Sequence, residues 1–151
     1  MRIRGSLTRE EIDDYLSSTT VPVRLACHTP SGGLWMLSLW YRYRDGALEC
    51  ATAADANVVE YLEGDPTVAF EISSNQPPYI GVRGAGTASI SPDPEKSVLR
   101  ALLERYLGGT DSQLADTLLD ESREEVVITV EPQTVYGWDF SDRMRDVLEE
   151  E

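Results

Sequence analysis

One short segment has the outline of an anion-binding loop but lacks the usual cations. Residues 51–66, ATAADANVVEYLEGDP, pass from a strand-like run through small residues into a helical pattern. Such a junction binds phosphate because the first amides of a helix point at the ligand and carry the positive end of the helix dipole. Asn57 and Val58 stand where basic residues would assist, and Asp55 adds a negative charge. An anion here would depend on backbone amides and on hydroxyls such as that of Thr52.

Hydrolytic and metal-dependent chemistry have little support. His28 is the single histidine, no motif pairs it with a serine or a cysteine, and no G-x-S-x-G segment occurs. The glycines of GVRGAG (81–86) lack the spacing of a dinucleotide-binding loop. Acidic pairs such as Asp13 with Asp14 fit a solvated surface. The sequence therefore predicts neither a catalytic side chain nor a metal site.

The charge of the chain excludes two classes of partner. It has 27 acidic and 13 basic residues, a formal net charge of −14, and Lys96 as its only lysine. No basic stripe could displace the counterions of phosphates, so we expect no binding to nucleic acid or to an anionic membrane. Concentrated salt, with a screening length of about 3 Å at 1 M, removes most of the self-repulsion of such a surface. We therefore predict a halophilic acidic protein of the haloarchaeal type rather than a merely acidic mesophilic one.

The chain is predicted to be a single cytoplasmic domain. No run of eighteen apolar residues occurs, and the first residues, MRIRGSLTREE, lack the apolar centre of a signal peptide. Its 151 residues suffice for one packed core. Cys27 and Cys50 each lie in an apolar run and are predicted to be buried free thiols.

Apolar periodicity predicts a mostly β chain with added helices. Alternation predicts strands over residues 21–29, 34–44, 47–53, 67–73 and 79–91, and within EVVITVE and TVYGWDF, with a turn at Pro132 between the last two. Helices are predicted over residues 9–17, after a cap at Asp55, after Asp93 and Pro94, and within DSQLADTLL. This order indicates an antiparallel barrel over residues 20–140, preceded by a helical segment (1–19) and followed by an acidic tail (141–151).

The order of elements resembles the pyridoxamine 5'-phosphate oxidase-like split-barrel family, which binds flavins and deazaflavins. The resemblance covers about residues 20–140. It rests on Trp40 at the end of the second strand, the Asp-Gly turn at 45–46, the DPTVAF entry to the fourth strand and the PPYIGVRGAG strand. It implies a six-stranded antiparallel split β-barrel of the FMN-binding type. It also implies a homodimer with flavin mononucleotide (FMN) or a deazaflavin between the subunits.

The resemblance further implies which residues bind the cofactor. The ring edge would meet the second and third strands at Ser38, Leu39, Trp40, Ala51 and Thr52. The phosphate would lie at the junction that contains Ala53, Asn57 and Val58. The second subunit would add Tyr79, Arg83 and Trp138. From the residues alone, the three tryptophans, Trp35, Trp40 and Trp138, fit a core better than a pocket for a flat ligand.

Family members that bind FMN tightly present cations that this chain lacks. The matching strand positions are Trp35 and Trp40, and the matching helix positions fall among Ala56, Asn57 and Val58. Helix amides, Thr52 and one of three arginines elsewhere would have to replace them, namely Arg24, Arg42 or Arg83. Each lost charge-assisted hydrogen bond is worth about 1.5–3 kcal/mol.

Three functions remain open at this point. The preferred one is an oxidoreductase that uses FMN or a deazaflavin, in which the cofactor carries the chemistry and no side chain acts as acid or base. The second is a non-catalytic homodimer that has lost tight FMN binding and holds another flat ligand or none. The third is a purely structural homodimer. Oxidation of pyridoxamine phosphate itself is disfavoured, because Arg143 and Arg145 do not form the C-terminal arginine motif of that enzyme.

Overall fold

The computed structural model describes residues 1–146, which contain eight strands and four α-helices. The strands are β1 (Arg2–Gly5), β2 (Val23–His28), β3 (Leu34–Leu39), β4 (Arg42–Arg44), β5 (Ala47–Ala53), β6 (Thr67–Ser73), β7 (Ile80–Pro92) and β8 (Glu125–Asp139). The helices are α1 (Arg9–Ser18), α2 (Asn57–Gly64), α3 (Ser97–Leu107) and α4 (Gln113–Leu118). The predicted acidic tail lies partly outside the described residues.

The described strands form one sheet whose two edges are joined by a very short link. Their order is β3-β2-β6-β7-β8-β5-β4, and β1 pairs in parallel with β8. Only Trp40 and Tyr41 connect β3, on one edge, with β4, on the other. A flat sheet would separate these edges by six strand spacings, about 29 Å, whereas the three residue steps from Leu39 to Arg42 span at most about 11 Å. The sheet therefore curls into an open barrel, as predicted, although it has eight strands instead of six.

The inside of the curled sheet holds the main hydrophobic core. Alternate residues of the strands point inward and are buried, among them Leu25, Leu48, Cys50, Phe70, Ile72, Val82 and Ile128. The helix α1 adds Ile12 and Leu16 to this core. Its predicted capping box is confirmed, because the Glu11 amide donates to the Thr8 hydroxyl and the Thr8 amide donates to the Glu11 carboxylate.

Glycines in β7 permit close backbone approach, as predicted. A Cβ atom on Gly84 would lie 2.8 Å from Cζ of Phe70 and would also collide with the Thr134 carbonyl oxygen. The strand β7 pairs with β6 on one side and with β8 on the other, and its register against β8 shifts between Ala85 and Gly86. Any side chain at Gly84 would push these strands apart.

Two predicted strand boundaries were wrong. The strand expected over 34–44 is broken at Trp40 and Tyr41, because the fully buried Tyr41 leaves the ladder and its hydroxyl donates to the Leu16 carbonyl at 2.8 Å. The turn expected at Pro132 does not occur, since β8 continues through it at the register shift, where a missing amide is tolerated. The short polar strand β1 was not predicted because it shows no alternation of apolar residues.

Of the two further predicted helix caps, Asp55 and Asp93, the first is wrong and the second is right. The helix α2 begins after Ala56 with no side-chain cap, so Asp55 does not cap it. A 3₁₀ turn, Pro94–Lys96, precedes α3, but the Asp93 carboxylate still accepts from the amides of Val98 and Leu99, both at 3.1 Å. Asp93 is buried, so these bonds fix the position at which α3 begins.

The two cysteines are free and buried, as predicted. Burial raises the pKa of the Cys50 thiol to about 12, which keeps it protonated and unreactive near neutral pH. Among residues 1–146, none of the helices has the length and apolar character needed to span a bilayer.

Replacing Asp93 should destabilise the protein by removing the cap of α3. We expect Asp93→Ala to lower the free energy of unfolding by about 1–2 kcal/mol, the usual cost of losing a capping side chain. Urea denaturation followed by circular dichroism measures this. Asp14→Ala, at an exposed position of α1, is the matched control. Equal losses in the two variants would contradict the assigned role of Asp93.

Candidate cofactor cleft

Six of the predicted cofactor residues line a single cleft. Ser38, Leu39 and Trp40 come from the end of β3, and Ala51, Thr52 and Ala53 come from the end of β5. The curl of the sheet brings these two strand ends together. The opposite wall consists of α3, α4 and the start of β8, through Leu99, Leu102, Leu118, Arg123 and Glu125. The cleft has a volume of about 300 Å³, at the lower end of the range of about 300–1,000 Å³ for ligand pockets.

The helix α3 covers much of the apolar surface beside this cleft. The Trp40 ring stacks on the Tyr106 ring, with centroids 5.1 Å apart and planes 7° from parallel. Ala51 packs against clusters formed by Val98, Leu102 and Val127 and by Leu99, Leu103 and Ala115. Trp40 is therefore partly core, as the residues alone indicated, and partly cleft wall.

Hydrogen bonds connect α3 to the link formed by Trp40 and Tyr41 between the two sheet edges. The Tyr41 amide donates to the Tyr106 hydroxyl, and that hydroxyl donates to the Tyr41 carbonyl, both at 3.3 Å. Arg105 donates to the Ser17 carbonyl at 2.9 Å and also to the Thr19 carbonyl, at the end of α1. Burial raises the pKa of Tyr41 far above its usual value, so its hydroxyl remains a hydrogen-bond donor. The cleft wall is thus held from two sides.

The predicted phosphate end lies beside the cleft, in a second depression of about 340 Å³. Its lining consists of Ala53, Ala54, Asp55, Ser122, Arg123 and Glu124. Two amides that could have faced a phosphate are occupied, because Ala54 donates to the Glu124 carbonyl at 2.8 Å and Ala56 donates to the Ala53 carbonyl at 3.0 Å. The exposed Asn57 begins α2, whereas the side chain of Val58 is buried in the core and cannot reach a ligand.

Arg123 is a cleft cation that the sequence did not reveal. It lines both depressions, and its side chain contacts Glu125 Oε1 through Nε and Nη2, each at 3.2 Å. The Glu125 side chain is only 2% exposed. Arg123 reaches the cleft because Glu125 pairs with Ala53 in the register of β5 and β8. The position of Arg123 could have been predicted only by pairing β8 with β5 in the correct register.

The three residues predicted to come from the second subunit lie elsewhere on the chain. Arg83 lies over the ring of Tyr136 at 4.5 Å and over that of Trp138 at 5.4 Å, both measured to the centroid. Tyr79 precedes β7, and its carbonyl accepts from the Phe140 amide at 3.2 Å. Within one chain these residues do not line the cleft, and their assignment to a second subunit stays a prediction.

Arg83 belongs to an open apolar groove, of about 420 Å³, on the outer face of the sheet. The cross-strand pairs Met36 with Ala26, Ala26 with Ala69, and Ala69 with Ala85 form its small-residue floor. Met36 is 62% exposed, and the neighbouring Leu34 is 80% exposed. Contiguous exposed apolar surface of this kind is typical of a binding face.

The two ends of the predicted cofactor site differ in their fit to FMN. The ring end is a cleft that combines apolar side chains, such as those of Leu39, Leu99 and Leu102, with polar ones. At the phosphate end the amides of Ala54 and Ala56 are engaged and Arg123 is paired with Glu125. The carboxylate residues Asp55 and Glu124 line the depression. Metal chemistry has no candidate either, since no group of three or more metal-binding side chains occurs within residues 1–146.

Comparison with known proteins identifies the fold. No protein-family model and no curated protein matches the sequence. A conserved hypothetical protein from Mycobacterium tuberculosis matches the structure with a TM-score of 0.74 and 24% identity over 89% of this chain and 86% of that chain. An F420 reductase matches with a TM-score of 0.68 and 21% identity, over 81% and 94% respectively. A provisionally assigned pyridoxamine 5'-phosphate oxidase from Listeria innocua matches with a TM-score of 0.65 and 15% identity, over 85% and 95%.

The chain therefore has the split-barrel fold of the pyridoxamine 5'-phosphate oxidase-like proteins. Neighbours with this fold take more than one flat ligand, since an FAD-binding protein from Mesorhizobium loti and a heme-binding protein from Mycobacterium smegmatis share it, with TM-scores of 0.62 and 0.60. At sequence identities of 19% and 23%, these matches establish a shared fold and do not establish a shared ligand.

Removing the Tyr106 hydroxyl should loosen α3 while leaving its stacking on Trp40 in place. We expect Tyr106→Phe to lower the free energy of unfolding by about 0.5–1.5 kcal/mol, the usual net worth of such hydrogen bonds. Chemical denaturation measures this, with Tyr61→Phe as the control, since the Tyr61 ring packs edge-on against Trp35 on another part of the barrel. No difference between the two variants would contradict the proposed fastening.

Proposed function

We propose that the protein is a homodimeric oxidoreductase that binds a flavin or deazaflavin ring in the cleft between β3, β5, α3 and α4. The observation that carries this proposal is the convergence of six residues on that one cleft, Ser38, Leu39, Trp40, Ala51, Thr52 and Ala53. They come from strand ends that are distant in the order of the sheet. The likeness in fold to an F420 reductase and to an FAD-binding protein supports the same ligand class.

In this proposal the chain binds and orients the ring and excludes water from it. The ring supplies hydride or electron transfer when it is bound. Leu39, Leu99 and Leu102 provide the apolar contact surface, and the backbone at Ala51 and Thr52 meets the ring edge. These side chains are not titratable, so their part is to shape the site and to exclude water.

The second copy would pair through the outer sheet face. Leu34, Met36 and the alanine floor of the groove would be covered in the dimer, which removes exposed apolar surface from water. Arg83, on this face, would then approach the partner's cleft, whereas the Trp138 ring is buried beside the Arg83 guanidinium. A shared site of this kind makes cofactor binding depend on association.

A non-catalytic homodimer is the second candidate, and one observation favours it. The stack of Trp40 on Tyr106 and the packing of α3 on Ala51 fill apolar surface that a ring would otherwise use. Reoxidation kinetics separate the two candidates. An oxidoreductase should transfer electrons from a bound, dithionite-reduced flavin to a quinone faster than free flavin does, whereas a simple binder should slow this transfer.

A bulky side chain in the cleft should weaken binding of the ring. We expect Ala53→Phe to weaken the binding of added flavin at least tenfold, about 1.4 kcal/mol, as measured by quenching of flavin fluorescence. Ala47→Phe is the matched control, because Ala47 is half-buried on the same face of β5 but lies at the other end of the strand. Equal affinity in the two variants would show that the ring does not use this cleft.

A charge on the outer sheet face should prevent dimerisation. We expect Ala85→Glu to sediment as a monomer with unchanged circular dichroism, because an unpaired carboxylate would be buried in the interface. Ser89→Glu, at an exposed position on the same face of β7 but outside the groove, should remain dimeric. A wild-type monomer, or a dimeric Ala85→Glu variant, would contradict the proposed interface.

A further inference from the structure

We infer that the cleft selects a ring with an uncharged, hydroxyl-rich tail and discriminates against one that carries a phosphate there. This inference rests on the proposed function, because it describes the tail of the ligand whose ring occupies the cleft. It starts from the depression that continues the cleft beyond Ala53, where a tail attached to the ring would lie.

The charges around this depression are mainly negative. Asp55 and Glu124 line it, and Glu125 lies at its junction with the cleft. Arg123 is the cation among these lining residues, and both of its contacts go to the buried Glu125 carboxylate. The pair is neutral as a unit, so Asp55 and Glu124 are left to set the sign of the local potential. The carboxylates of Asp55 and Glu124 would repel a phosphate dianion placed in this depression.

Two backbone donors at this depression are already engaged. The amides of Ala54 and Ala56 are held by the carbonyls of Glu124 and Ala53. The helix dipole of α2 attracts an anion at its first turn, but Asp55 lies directly before that turn and offsets the attraction.

The other arginines considered as replacements are engaged or distant. Arg42 Nε lies 2.8 Å from Glu49 Oε1, and Arg24 bonds to Asn75 Oδ1 at 3.1 Å and lies 4.0 Å from Glu71. Arg83 belongs to the outer groove and would reach the cleft only from a partner. The experiment must therefore test Arg83 separately.

The same residues suit a tail of hydroxyl groups. Ionised carboxylates only accept hydrogen bonds, so Asp55 and Glu124 can accept from the hydroxyls of a polyol chain. Ser122, which also lines the depression, can donate or accept. The hydroxyl groups of a ribityl-type chain can donate hydrogen bonds to these carboxylates. Phosphate oxygens are themselves acceptors and would face acceptors that offer them no hydrogen.

Paired titrations with riboflavin and FMN test the inference, since the two ligands differ only in the phosphate. We expect the full-length dimer to bind FMN about tenfold more weakly than riboflavin at low salt, and the difference to shrink in concentrated salt as the charges are screened. The double variant Asp55→Asn/Glu124→Gln should bring the two dissociation constants together. Glu121→Gln, an exposed neighbour outside the depression, should leave their ratio unchanged.

The outcomes separate this inference from the proposed function. If neither ligand binds, the proposed function fails and the inference fails with it. If both bind but FMN binds as tightly as riboflavin or more tightly, the ring site stands and the inference is overturned. Loss of such an FMN preference in Arg83→Ala would identify the partner's arginine as the phosphate ligand. An unchanged ratio in the double variant would also overturn the inference.

Discussion

The architecture depends on the two-residue link between the edges of the sheet. Trp40 and Tyr41 join β3 to β4, which are separated by five other strands in the order of the sheet. A link of this length is incompatible with a flat sheet. The curl is therefore imposed by connectivity as well as by strand twist, and the glycines of β7 relieve the crowding that it produces.

The same link organises the candidate site. Tyr41 turns into the core and bonds to α1, while its backbone holds Tyr106 on α3 and Trp40 stacks on that ring. The cleft thus lies where the barrel edges meet, between a wall of strand ends and a wall of helices. The cleft itself combines apolar and polar side chains, whereas the depression beyond Ala53 is lined by Asp55 and Glu124.

Much of the fold could be predicted because local patterns determine it. The alternation in β2, β5 and β6, the capping box of α1 and the glycine-bent β7 all have physical causes within a few residues. The break at Trp40, the continuous β8 and the wall formed by α3 depend on contacts between distant segments. Arg123 was missed for the same reason, since only the pairing of Ala53 with Glu125 brings it to the cleft. The halophilic character, the cytoplasmic location and the cofactor-binding roles of individual residues remain predictions.

The position of β8 has a consequence for how the chain reaches this fold. As the last described strand it pairs with β7, β5 and the N-terminal β1. Without β8 the remaining strands separate into two groups, β3-β2-β6-β7 and β5-β4, with β1 left unpaired. Such long-range pairing slows folding, because distant segments must meet before their contacts are gained. During synthesis the barrel can close only after β8 has emerged from the ribosome, so until then the two earlier groups of strands have unpaired edges.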